Sequence, residues 1–297
     1  MHARVIRYLN EVVRSGSIRA ASEKLHVAPS AISRQIKALE DELGTPVFNR
    51  GSRDLTLTSA GELLLVHVRQ TLREESRTRA QIEDLKGLRR GSVSLAIMSG
   101  LAGNIVPRSL IAFRKANPRA ELKVKLLPTD EAILDSVASG DADFGIGFDF
   151  TERFGMRVMS TALAQLGAIM SASHPLSQRS SVRLSECLDF PLILADETLV
   201  IRPYLDRAIA QLRGHPQVMM ETNSIEIMRS MAIGSEGITF LTKFDVEREL
   251  QNDTLKYVPV QELIEHSQRL MVVRSERYPN ALANVYFEGL QNILTKS

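Results

Sequence analysis

Two architectures follow one another in these 297 residues. An all-α head, a winged helix-turn-helix with a long linker helix, precedes an α/β body of two lobes. Three observations predict this. Helical apolar spacing dominates the first 90 residues, and no proline falls between Thr58 and Gly91. From Ser92, short apolar runs alternate with helical stretches, the pattern of βαβ units. Charge divides at the same place: residues 1–90 hold 16 Lys/Arg against 11 Asp/Glu, whereas the remainder holds 21 against 24. A basic third on a slightly acidic body suits a polyanion-binding head joined to something else.

Residues 4–14 form a first helix, with Val5, Tyr8, Leu9, Val12 and Val13 on its apolar face. Ser17 to Gly44 reads as two helices around a tight turn. The first is Ile18 to Leu25, with small Ala20 and Ala21 where another helix can approach. The turn is His26-Val27-Ala28. Pro29 opens the second helix, where its missing N–H costs nothing. Gly44 follows Leu43 as a left-handed cap. Ile32, Ile36, Leu39 and Leu43 make an apolar stripe at helical spacing. Ser30, Ser33, Arg34 and Lys37 lie off it. Short hydroxyls and long cations on one exposed face suit a helix lying in a DNA major groove. An ordinary helical hairpin with a solvated face has the same residue types. The next segment, PVFNRGSRDLTLT, predicts short strands at Val47-Phe48 and Leu55-Thr56-Leu57 around a turn at Gly51-Ser52. Arg50 and Arg53 flank that turn, as on a wing that sets cations beside the minor groove or backbone. The alternative is a surface hairpin with solvated arginines.

A long helix follows. Ser59 and Glu62 match an S-x-x-E capping box, with Thr58 the competing cap. About 30 residues would span roughly 45 Å. At heptad spacing the seam is Leu65, Val68, Leu72, Glu75, Arg79, Ile82, Lys86, apolar only in its first half. Leu65, Val68 and Leu72 predict a two-fold dimer with a second copy, or else packing on the chain's own body. Gly87 and Arg89-Arg90-Gly91 mark a linker.

In the body, Ser92–Met98, Glu121–Leu126 and Asp143–Phe148 read as strands. A helix from Gly100 to Asn117 and another from Asp130 to Ser139 lie between them, so a parallel sheet with covering helices is expected. Leu166–Met170 would start a second such unit. It continues through Leu192–Leu194, a helix at Arg202–Arg213, Val218–Glu221, a helix at Ser224–Ile233, and Gly237–Leu241. Arg269–Val273 is a further strand, and Ala281–Leu294 a final helix. The expected domains are 1–58, the head; 59–90, the linker and dimerisation helix; 91–162 with 266–297, the first lobe; and 163–265, the second. Two α/β lobes imply a cleft, with ligands beyond strand carboxyl ends and at helix starts. Those positions are Ser99, Gly100, Leu101, Thr129, Phe148, Thr198, Arg202, Asn223 and Ser224. Hydroxyls and free amides there can hold a small anion, to which Arg202 would add charge. Thr129, Asn223 and Ser224 also suit plain helix caps.

Several classes are disfavoured. No apolar run approaches the roughly 20 residues of a membrane span, and the amphipathic N-terminus does not read as a signal peptide. The cytoplasm is the expected compartment. The single cysteine, Cys187, precludes an internal disulfide or a multi-cysteine metal site. Its apolar context, SECLDF, predicts an inert buried thiol. His2, His26, His67, His174, His215 and His266 are scattered. Gly145-Ile146-Gly147 lacks the rest of a dinucleotide fingerprint. An enzyme or a small-molecule binding protein built on the lobes is the rival reading. No catalytic motif supports the enzyme, and a solute-binding transport protein does not account for the basic head. No cofactor and no metal are expected.

These residues carry a resemblance. GSIRAASEKLHVAPSAISRQIKALEDELGTPVFNRGSRDLTLTSAGELLL resembles the N-terminal signature of the LysR-type transcriptional regulators, from about Tyr8 to Val68 without a gap. NSIEIMRSMAIGSEGITFLT and the SHPLS of Ser173–Ser177 resemble parts of that family's effector domain. The resemblance implies a winged helix-turn-helix, a dimerising linker helix and a two-lobed domain similar to type 2 periplasmic binding proteins. It also implies double-stranded DNA and a small-molecule effector as partners, and a homodimer or homotetramer. The DNA-facing set would be Ile18, Arg19, Pro29, Ser30, Ser33, Arg34 and Lys37, with Arg50 and Arg53 on the wing. One position departs: Ala28 stands where the family usually has Ser or Thr before the recognition helix. The missing cap amounts to roughly 1 kcal/mol.

Overall fold

The stripes just described close into a small core. The structure, a computed structural model, describes residues 3–49, 55–85, 91–103, 105–212, 216–264 and 267–295. Residues 1–86 form one compact unit and residues 87–297 a second.

In the first unit, α1 (Ala3–Ser15), α2 (Ile18–Leu25) and α3 (Pro29–Leu43) bury Leu9, Val12, Ala21, Ile32, Ile36 and Leu39 together. Leu43, expected on the stripe, is exposed at the end of α3. Phe48 and Leu57 form an antiparallel bridge at the base of the expected wing. The Glu40 carboxylate accepts the Val47 and Phe48 N–H groups, at 2.8 and 3.3 Å, and so ties α3 to that base. The turn at Gly51-Ser52, Arg50 and Arg53 lie outside the described residues.

Helix α4 (Ser59–Leu85) begins on Thr58. Thr58 Oγ1 accepts the Gly61 N–H at 3.0 Å and donates to the Pro46 carbonyl at 2.7 Å. The expected Ser59 box is therefore replaced by its competitor: Thr58 reaches both the helix and the preceding strand. Gly61 permits this approach, since a Cβ there would collide with the Val47 carbonyl. The expected dimer seam also needs correcting. Leu65 and Val68 are buried, and Val68 and Leu72 pack on the core of α1, α2 and α3. Glu75, next along, accepts from Arg7 of α1 at 2.8 Å. The chain's own head thus takes the face assigned to a second copy. The face left open carries Leu63, 76% exposed, and Val66, 63% exposed.

The second unit holds two five-stranded sheets. The first combines β1 (Ser92–Ile97), β2 (Glu121–Leu126), β3 (Phe144–Phe148), β4 (Met156–Ala164) and β10 (Gln268–Ser275), in the order β2-β1-β3-β10-β4. The second combines β5 (Leu166–Ser171), β6 (Leu192–Ala195), β7 (Val218–Thr222), β8 (Ile238–Thr242) and β9 (Leu255–Pro259), in the order β7-β6-β8-β5-β9. Each has a parallel trio, β2-β1-β3 or β7-β6-β8, flanked by antiparallel strands. The sheets are mixed, not parallel as expected. Leu166–Ser171 does not open a parallel unit; it runs antiparallel to β8 and β9.

Strands β4 and β9 have no counterpart in the sequence reading. Each is an edge strand, and β4 is half solvated, so its period is blurred by polar residues. The other edge of the first sheet, β2, leaves Val124 and Leu126 exposed. The chain passes between sheets at Gln165 and again between Pro259 and Gln268.

Helices α5 (Ile105–Ala116) and α11 (Ala281–Leu294) cover one face of the first sheet, and α6 (Asp130–Ala138) the other. A short 3-10 turn, Ser99–Ala102, precedes α5 where a helix starting at Gly100 was expected. The second sheet carries α7 (Leu184–Cys187), α8 (Arg202–Ile209), α9 (Ile225–Gly234) and α10 (Glu247–Gln251). α8 ends before the Arg213 anticipated for it.

Candidate functional site

The first surface is built by α2 and α3. His26 sits in the left-handed region, φ 53°, and closes α2 by donating its N–H to the Ser22 carbonyl. That sharp turn aims α3. Ala28 precedes α3 with no side-chain cap, and Pro29 takes the first position, both as read from the sequence. Burying Ile32, Ile36 and Leu39 turns the opposite face outward. Pro29, Ser30, Ser33, Arg34 and Lys37 are all exposed on it, Arg19 is exposed on α2, and Ile18 is half-buried under it. Exposed hydroxyls with two cations on one helix face form a surface suited to base edges and phosphates.

The second surface is a cavity of about 350 Å³ between the two sheets. The first lobe supplies Met98, Ser99 and Gly100 after β1, Leu126–Pro128 at the end of β2, Phe148 closing β3, and Gln268 opening β10. The second supplies Thr198–Ile201 after β6, Asn223 and Ile225 at the start of α9, and Asp245 after β8. Strand carboxyl ends thus meet here, as the doubly wound pattern requires. Five expected residues line the cavity: Ser99, Gly100, Phe148, Thr198 and Asn223. Four do not. Leu101 is fully buried in the core. Thr129 and Ser224 cap their helices, accepting the Ala132 and Ile227 N–H groups. Arg202 is spent on structure: it donates to Asp206 at 2.7 Å, Glu221 at 2.9 Å and the Ala195 carbonyl at 2.7 Å. Those partners hold its guanidinium charged and fix α8 to β6 and β7.

Two polar cavity residues were invisible to sequence reasoning. Asp245 is buried; Thr242 donates to its Oδ2 through N–H and Oγ1, at 2.9 and 2.7 Å. Burial pushes its carboxyl above the usual range, against those hydrogen bonds and the nearby Arg229. Its Oδ1 stands against Gly100, where any Cβ would collide with it. Gln268 is 0% exposed, and neither its Nε2 nor its Oε1 has a hydrogen-bond partner among the described residues. A lone Asp or Gln at a strand end gives no periodic signal, so only the contacts reveal them.

A hydrogen bond spans the lobes beside the cavity. Tyr204 of α8 donates through its hydroxyl to Asp149 Oδ2 at 2.9 Å. Asp149 follows Phe148 in the left-handed region, φ 48°, and its Oδ1 accepts the Arg269 N–H. Arg108 of α5 and Glu247 of α10 make a second cross-lobe link at 2.6 Å. Away from the cavity, burial pushes the Cys187 thiol up to about 12, in line with its expected inertness. His174 is also buried; it packs on Phe190 and accepts the Leu176 N–H at Nδ1.

Family models match both parts of the chain. That of the bacterial regulatory helix-turn-helix proteins, lysR family, matches residues 3–62, and that of the LysR substrate binding domain matches residues 86–294. The chain belongs to the LysR family of transcriptional regulators. A probable RuBisCO transcriptional regulator of Emiliania huxleyi is 25% identical over 299 residues, with 98% of this chain and 95% of the relative covered. Another, of Porphyra purpurea, is 27% identical, covering 98% and 92%. Among solved structures, a full-length OxyR from Pseudomonas aeruginosa superposes with a TM-score of 0.72 at 19% identity, covering 99% of this chain and 94% of that one. Full-length CbnR complexed with its target DNA gives 0.70 at 18%, covering 99% and 100%. At that identity the fold is what is shared. In this LysR-family regulator no helix among the described residues is long and apolar enough to cross a membrane, and no metal-binding cluster occurs among them.

Proposed function

We propose that α3 of this LysR-family DNA-binding regulator reads its operator, and that a small molecule in the interlobe cavity sets the response. The observation that carries the DNA half is the single exposed face of Ser30, Ser33, Arg34 and Lys37, opposite the buried Ile32, Ile36 and Leu39. Arg34 and Lys37 release phosphate counterions, and Arg50 and Arg53 add to that from the expected wing. The cavity carries the second half. Among the described residues its walls hold no paired acid and base, which supports binding rather than catalysis. The chain works in the cytoplasm, where its DNA lies.

Two copies pair along α4 in this reading, through the exposed Leu63 and Val66. A two-fold dimer presents two α3 helices to two half-sites, and pairing of dimers would give a tetramer.

Fluorescence anisotropy on the DNA upstream of its own gene tests this. Specific binding is expected to weaken steeply with salt. Arg34→Ala should reduce affinity for the specific site by about 1–3 kcal/mol and relax base preference if it contacts guanine. Equal loss on random DNA would reduce Arg34 to a phosphate contact, and no specific shift for the wild type would overturn the reading.

A further inference from the structure

Gln268 is a buried amide in the wrong company. It opens β10, and Leu270 and Val272 follow it on the same strand face, inside the apolar cluster that also holds Leu101, Ile105 and Phe244. Strand alternation makes that face a core face, where leucine would be the ordinary choice. The backbone of this strand start pairs with Ala164, so the ladder places no demand on the side chain. Yet the side chain is 0% exposed, lines the cavity, and has neither amide atom hydrogen-bonded among the described residues. Leaving a buried amide unpaired is unfavourable. An occupant of the cavity is what can repay it.

The charge of the walls limits that occupant. Among the described lining residues there is no Lys, Arg or His, and the one ionisable group is that of Asp245. Arg202, the cation expected to greet an anion, is committed to Asp206, Glu221 and the Ala195 carbonyl. Helix starts border the cavity, but Ser224 already serves the first turn of α9. An ionised acid would leave water for a site with no counter-cation among its described residues, and would set its oxygen lone pairs against Gln268 Oε1. Phe148, Leu127, Leu199 and Ile201 offer apolar wall for the rest of the molecule.

Accepting the cavity as the effector site, as proposed above, we infer that its ligand is an uncharged small molecule with an apolar body and one carboxamide-like head, held by Gln268 through a paired donor and acceptor. The head's N–H donates to Gln268 Oε1 and its carbonyl accepts from Gln268 Nε2. This replaces the anionic effector expected from the helix starts alone.

Matched pairs of probes test it: benzamide against benzoate and hexanamide against hexanoate, titrated by calorimetry into the full-length protein at about pH 8, where both acids are ionised. At least one amide should bind, about tenfold or more tighter than its acid. Gln268→Leu and Gln268→Met remove the amide at similar volume. Both should weaken that binding by tenfold or more, while the melting temperature without ligand stays level or rises. If only one folds, that one decides. A tighter acid, an amide indifferent to both substitutions, or no binding by any probe overturns the inference. Anisotropy on operator DNA with the wild-type protein is read separately. Specific DNA binding with an acid-preferring cavity leaves the regulator reading standing and removes only the ligand class. Absent specific DNA binding removes the regulator reading itself.

Discussion

Thr58 is the residue on which the head and the linker helix join. Its hydroxyl accepts the Gly61 N–H and donates to the Pro46 carbonyl, so its loss frees a helix amide and a strand carbonyl together. Thr58→Ala should destabilise the head by about 1–2 kcal/mol in denaturant titrations, whereas Ser59→Ala should be nearly silent. A reversed order would restore the capping box read from the sequence. His174 gives a second residue-scale test. Burial, its largest influence, lowers its pKa below the free value of 6.5, and Glu236 opposes the shift only in part. The buried ring is therefore held neutral. Its contribution is fully present above 6.5 and is lost as pH falls through the lower folded value, because the unfolded chain binds the proton first. His174→Asn keeps an acceptor for the Leu176 N–H. Its stability should fall less steeply on the acid side in pH-dependent melting; an unchanged slope would show that another group controls the loss.

Helix α4 shows how an element can be recognised and its faces still be misassigned. The apolar stripe at Leu65, Val68 and Leu72 faces inward: Leu65 is buried, and Val68 and Leu72 pack on the head of the same chain. What remains for a second copy is the face of Leu63 and Val66. Leu63→Asp with Val66→Asp should convert dimers to monomers in sedimentation while leaving the far-ultraviolet spectrum intact. Val68→Asp should instead unfold the head, since it buries an unpaired charge in a core. A double variant that still sediments as a dimer would place the interface elsewhere. The pair Ala28-Pro29 is the opposite case. Absence of a cap and tolerance of proline are local properties, so both could be read from two letters and both are found.

At the scale of the molecule, two sheets of matching topology meet across a cavity, and a hydrogen bond spans the lobes beside it. Tyr204 on α8 reaches Asp149 in the other lobe, so the helix that follows the Thr198–Ile201 loop is tied across the cavity through a hydroxyl. Tyr204→Phe keeps the ring and removes the bond. It should lower the stability of the α/β unit by about 1 kcal/mol, a shift of roughly 2–4 °C in a calorimetric scan. Ligand affinity should change in the same variant, since the rim is then free to open. A variant with both quantities unchanged would show that the lobes are held by other contacts, such as Arg108 with Glu247.

Local rules determined the helix-turn-helix, the α4 rod, the parallel strand trios and the final helix from the order of residues alone. Apolar spacing, a proline at a helix start and a glycine after a helix end are written within a few positions of one another. The exposed face of α3 was legible for the same reason, because a helix with one apolar stripe has its opposite face prescribed. The sequence also placed Ser99, Gly100, Phe148, Thr198 and Asn223 near the cavity, since strand ends can be counted. Only the tertiary structure decided the rest. The antiparallel insertion of β5 and β10, the edge strands β4 and β9, the partner of the Leu65–Leu72 seam, the commitment of Arg202 to two carboxylates and the unpaired amide of Gln268 all depend on groups far apart in the chain. A residue's spacing says which way it faces. What it then meets is set by packing between distant segments, and that carries no local signal.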